Sequence, residues 1–143
     1  MAIVDVMTVN VISVEPGDSV AYAIRRMVDG NVGAVAVCES GRIVGIFSER
    51  DVLRLASGSE TFTSKRVDEV MTRRLVTVAP GDDIVAVARL MGERQLRHLP
   101  VVEDDRLLGI VGARDVMGAL VERLWRAHDE QAHETARALL LRS

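Results

Sequence analysis

Hydrophobic and polar positions along the chain fall into one pattern that is written twice. A short β-branched run, Val11-Ile12-Ser13-Val14, is followed by Pro16-Gly17-Asp18, where Pro presets φ and Gly accepts a positive φ. Asp18 is expected to cap the helix that follows, in which Val20, Ile24, Met27 and Val28 recur at helical spacing. A nearly continuous apolar run at 34–38 then reads as a buried strand. The polar hairpin Glu39-Ser40-Gly41 leads into a partner strand at 43–47, and a second helix begins near Ser48. The same order returns downstream: Leu75-Val76-Thr77-Val78, the turn Pro80-Gly81-Asp82, and a helix with Ile84, Val87, Ala88 and Met91. Strands at 99–102 and 107–111 flank Glu103-Asp104-Asp105, and a helix begins near Gly112.

The recurrence is a duplication. Residues 5–54 and 69–118, compared without a gap at an offset of 64, share 17 identities in 50 pairs. Unrelated segments would share roughly 3 at ordinary residue frequencies. Each copy is a β-α-β-β-α module, so the fold class is α+β. Modules are expected at 3–56 and 67–120, joined by a Ser/Thr/Gly-rich linker at 57–66. One copy alone would bury only about 60% of its surface, so the two should pack as a unit. The last helix runs on past what a module needs. No Gly or Pro follows Gly118, and Leu120, Val121, Leu124, Trp125, His128, Ala132, Ala136, Leu139 and Leu140 are read as an apolar stripe on one face. Residues 121–143 are thus read as an amphipathic extension, and the stripe suggests a homodimer in which this helix takes part or braces the N-terminal segment.

Composition narrows the function. Eighteen basic and twenty-one acidic residues leave a net charge of −3, which argues against general nucleic-acid binding. Four aromatic residues, Tyr22, Phe47, Phe62 and Trp125, are too few for base-stacking platforms. No apolar run approaches the roughly 20 residues of a membrane span, and no basic-then-apolar leader opens the chain, so a cytoplasmic location is expected. Cys38, the single cysteine, lies in an apolar strand and reads as a core residue. His128 and His133 do not share a helical face, which argues against a metal pair. No nucleophile–base motif or P-loop is visible, so no enzymatic activity and no required cofactor are expected.

The Val-Met-Thr openings (Val6-Met7-Thr8, Val70-Met71-Thr72), the Pro-Gly-Asp turns, Gly45-x-x-Ser48-x-x-Asp51 and Arg97-His98-Leu99-Pro100-Val101-Val102 together resemble a tandem cystathionine-β-synthase (CBS) domain pair, or Bateman module. The resemblance covers about residues 3–120. It implies two modules related by a pseudo-two-fold axis, with two clefts between them for adenosine-containing ligands. Such pairs act as regulatory sensors rather than catalysts and tend to form flat dimers.

The candidate site follows from both sources. Ser48 at a helix start would offer backbone N–H groups and the positive dipole end to a phosphate. Gly45 would let the ligand approach the backbone, Arg50 could contact phosphate, and Asp51 takes the family's ribose-binding position. Ser48 with Asp51 three residues on is equally a plain helix cap. The second copy keeps Arg114 and Asp115 but has Gly112 in place of the hydroxyl. The family's cross-over geometry implies that the Asp51 cleft also receives Thr72, Leu96 and Arg97, while the Asp115 cleft receives Thr8, Val32 and Gly33. His98 is either a phosphate contact or a core residue. The readings left open are an adenine-nucleotide sensor (AMP, ADP or ATP), a sensor of S-adenosylmethionine or a dinucleotide, and a scaffold that has lost its ligand.

Overall fold

The computed structural model of the protein describes residues 1–142. Module one comprises Ser13–Val14 (β1), Val20–Gly30 (α1), Ala34–Glu39 (β2), Arg42–Ser48 (β3) and Glu49–Gly58 (α2). A four-residue helix, Val67–Val70 (α3), leads into module two: Ile84–Arg94 (α4), His98–Glu103 (β4), Arg106–Gly112 (β5) and Ala113–Arg142 (α5). Equivalent positions 64 apart behave alike. Asn31 and Gln95 both end their helices in the left-handed region at φ 50° and 53°. Both hairpins turn through two positive-φ residues, Ser40-Gly41 and Asp104-Asp105, as a tight turn matched to strand twist requires. Each strand pair slips register at one place, after Val37 and after Val101.

Three expectations from sequence need correction. The helix caps are Ser19 and Asp83, whose side chains accept from Tyr22 N and Val85 N. Asp18 and Asp82 instead turn back, accepting from Glu15 N at 2.8 Å and Ala79 N at 2.9 Å to close the Pro-Gly turns. Val28 is 72% exposed, and Ala23 takes its place on the buried face of α1. The expected strand at 75–78 contracts to one parallel bridge, Val78 to Val101. In module one the Ala36 N–H donates to Ile12 O. Its counterpart 64 residues on is Pro100, which has no N–H, so the carbonyl of Val76 loses its donor and the ladder shortens.

Each module is completed by chain from outside it. Ile3 N donates to Asp82 O, Val4 N to Pro80 O, and Ile84 N to Met1 O. The same three bonds recur 64 residues later, from Val67 N to Asp18 O, Asp68 N to Pro16 O and Val20 N to Lys65 O. The N-terminal segment therefore straps module two, and the segment before module two straps module one. Lys65 and Arg66 thus belong to a strap rather than to a free linker, and α2 itself runs on to Gly58. The two cores follow the exchange. Fully buried Ile3 packs with Ile84, Leu99, Val111 and Val116, while Val67 and Met71 pack with Val20, Val35 and Phe47. A pseudo-two-fold relation between the modules accounts for all of this.

Candidate functional site

The Met-Thr openings complete the exchange at the sheet edges. Thr72 pairs with Ile46 of β3, donating at 2.9 Å and accepting at 3.1 Å, and Thr8 pairs with Ile110 of β5 at 2.8 and 3.0 Å. Both threonines therefore stand two residues from the ends of the strands that deliver Ser48 and Gly112. Gly45 and Gly109 permit this crossing. A Cβ at Gly45 would overlap the Met71 Sδ, and one at Gly109 would stand 2.6 Å from the Thr8 carbonyl oxygen. This corrects the sequence reading of Gly45: the space beside it is filled by the incoming strap, not left for a ligand.

Strand β3 ends where α2 begins. Asp51 is 7% exposed, and it is the buried charged residue among those described. Its Oδ2 accepts from Ser48 N at 2.9 Å and from Ser48 Oγ at 3.1 Å, and Arg54 Nη1 lies 3.7 Å from Oδ1. Ser48 and Asp51 thus form a reciprocal capping box at the start of α2, the Ser48 side chain taking the Asp51 backbone N–H while the Asp51 carboxylate takes that of Ser48. The Glu49 N–H is taken by the Gly33 carbonyl at 3.0 Å, so what this helix start offers outward is chiefly its positive dipole end. The start of α5 is looser. Gly112 has no hydroxyl to draw the carboxylate in, so Asp115 accepts only from Gly112 N at 3.4 Å and stays exposed.

The two helix starts face one seam. Gly33 O accepts from Glu49 N, and Arg97 O accepts from Ala113 N at 2.7 Å. His98, at the start of β4, spans the gap: a Cβ at Gly33 would lie 3.4 Å from its Cε1, and one at Gly112 would lie 3.7 Å from its Cδ2. Burial drives the His98 imidazole below its ordinary pKa, Glu49 and Asp115 pull it back up, and Arg97 adds to the lowering. Glu49, whose carboxylate would stand 3.0 Å from a Gly33 Cβ, was not singled out from sequence. Its counterpart in the repeat is Ala113, so the duplication gave it no emphasis.

The remaining candidates separate into two groups. Arg50, Arg97 and Arg114 are exposed, and no hydrogen bond or ion pair among the described residues joins Arg97 to Ser48, Arg50 or Asp51. Val32 and Leu96 are half-buried against the cores of their own modules. Cys38 is half-buried, and burial raises its thiol pKa, which disfavours the nucleophilic thiolate. A shallow hollow of about 580 Å³ beside Ser13, Asp18 and Tyr22 includes none of the seam residues. Among the described residues no helix is long and apolar enough to cross a membrane.

Comparison with known proteins matches this architecture. The CBS domain family model fits residues 3–58 and again 67–122. The CBS domain-containing protein YhcV of Bacillus subtilis is 33% identical over 112 residues, covering 78% of this chain and 80% of its own. The crystal structure of the CBS-domain containing protein ATU1752 from Agrobacterium tumefaciens superposes with a TM-score of 0.79 at 28% identity, covering 83% of this chain and 98% of that one. The CBS domain pair of protein MJ0100, solved in complex with 5-methylthioadenosine and S-adenosyl-L-methionine, gives the same TM-score at 22% identity, covering 86% and 98%. Among three curated relatives the chain spans 31%, 80% and 53% of their length.

Proposed function

This chain belongs to the CBS-domain family, carrying the domain twice, and from that premise we propose that it is a regulatory sensor that binds an adenine nucleotide in the cleft between its modules. The observation that carries the reading is the start of α2. There a buried Asp51 is held by Ser48 in a capping box at the positive end of the helix. A positive helix end suits a phosphate, and a carboxylate fixed one turn in suits a ribose hydroxyl pair. Exposed Arg50 follows Glu49 and exposed Arg97 precedes His98, so both positive side chains belong to residues next to the seam. The fold shared with the MJ0100 pair, at 22% identity, speaks for architecture, so the ligand class here rests on the residues themselves.

One observation favours a second reading, a scaffold without ligand. The Asp51 carboxylate is already satisfied by Ser48 and approached by Arg54, which is what a purely structural cap needs. A thermal-shift panel of AMP, ADP, ATP and S-adenosylmethionine separates the two. The sensor reading expects a saturable rise in melting temperature with at least one adenine nucleotide, since ligand that binds only the folded state stabilises it by mass action. A flat response to all four would favour the scaffold. The same reading expects no turnover; steady phosphate release from ATP, surviving purification and lost on altering Asp51, would contradict it.

A further inference from the structure

Helix α5 is docked on module two only through its first two turns, where Val116 and Ala119 are buried and Leu120 is partly so. From Val121 onward its described side chains are exposed for about 30 Å of helix. At 100° per residue, Val121, Trp125, Ala132 and Leu139 fall on the side opposite the docked residues. The uncovered apolar stripe therefore faces away from the protein's own body. Its charged residues lie off the stripe: Arg126 pairs with Glu122 at 2.8 Å on the flank.

We infer that this stripe is the self-association surface of the protein, on which the α5 helices of two copies pair antiparallel. Size along the stripe supplies the argument. Its first half is bulky (Met117, Val121, Leu124, Trp125), and its second half is small (Ala132, Thr135, Ala136) before Leu139. An antiparallel pair with its two-fold axis between His128 and Asp129 sets Trp125 over Ala132, Val121 over Ala136 and Leu139 over Gly118. Bulky side chains then fill the gaps left by small ones. A parallel pair sets Trp125 on Trp125 and Ala132 on Ala132, which crowds one end and leaves a void at the other. The exposed area is sufficient: Met117, Leu124, Trp125 and Leu139 are 63–71% exposed and Val121 is 45% exposed, and with the small residues between them they offer on the order of the 800 Å² per copy that a stable interface buries. An anionic membrane surface is a poorer occupant. Residues 121–141 carry three arginines against four carboxylates, whereas membrane-surface helices are rich in cations.

The inference does not depend on what the cleft binds. Light scattering on the full chain at micromolar concentration should give twice the 15.6 kDa of one chain. The double variant Leu124→Glu/Trp125→Glu should give a single-chain mass, with its melting curve still cooperative because both side chains are exposed within one copy. Orientation is read by oxidative cross-linking with Cys38→Ser as background. His128→Cys should cross-link to a dimer, because it lies beside the axis. Leu139→Cys should not, because two antiparallel copies hold that position about 31 Å apart, far beyond disulfide reach. A single-chain mass for the unaltered protein, a dimer that survives the double glutamate variant, or equal cross-linking at both positions would overturn the inference.

Discussion

Asp51 ties Ser48 to the first turn of α2 and, in the proposed function, faces the ribose. Its removal should therefore register in two ways. A hydrogen bond to a charged group is worth about 1.5–3 kcal/mol, so Asp51→Ala should weaken adenine-nucleotide binding roughly 10- to 150-fold. It should also lower the melting temperature of the free protein, because Ser48 N–H loses its acceptor. Asp115→Ala should cost less on both counts, since that carboxylate is exposed and held by a single 3.4 Å contact. His98 adds a pH dependence whose sign is fixed by its burial. Its folded pKa lies below the ordinary 6.5, so the unfolded chain binds the proton more readily. The corresponding stability is complete above about pH 6.5 and is lost as pH falls through the interval down to the folded value. Chemical denaturation at pH 7.5 and 5 should show a smaller loss for His98→Asn than for the unaltered protein; an equal loss would place the pH dependence elsewhere.

At the scale of elements, most of the architecture was legible because it rests on local rules. Apolar periodicity located α1, α4 and the two central hairpins to within a residue or two, and the 64-residue repeat confirmed each by its copy. The misses have physical causes. Asp18 and Asp82 carry good cap chemistry, but they serve the turn, and the true caps lie one residue on. The strand at 75–78 has the right residues, and only the missing N–H of Pro100 on the neighbouring strand shortens it. The turn geometry suggests a gain: Asp105 sits at φ 62° where the first copy has Gly41 at φ 80°. Asp105→Gly should stabilise by about 0.5–1 kcal/mol, because glycine adopts that region without steric cost. An unchanged or lower denaturation midpoint would argue against it. Gly109→Ala should be the reverse case and more damaging than Gly45→Ala. The added methyl meets the Thr8 backbone carbonyl at Gly109 but only the flexible Met71 side chain at Gly45.

At the scale of the whole molecule, the exchange of straps was the least legible feature, because pairing between segments more than 60 residues apart leaves no local periodicity. It also decides how the modules behave. Ile3 belongs by sequence to the first copy and by packing to the core of the second, so the modules should unfold in one transition. Ile3→Ala should destabilise that whole transition by about 2–5 kcal/mol; a biphasic melt with module one unaffected would separate the modules again. The cleft was legible in part. Ser48 and Asp51 were found from the motif and stand together, whereas Glu49 and the seam position of His98 emerged only when both helix starts were seen to converge. A cross-strapped pair with two helix starts on one seam is suited to convert ligand binding there into a change felt by both halves. Calorimetric titration of ATP into the unaltered protein and into Asp51→Ala tests this account most directly. The account predicts saturable binding to the former and a loss of roughly 10- to 150-fold in the latter; no binding to the unaltered protein, or equal affinity for both, would contradict it.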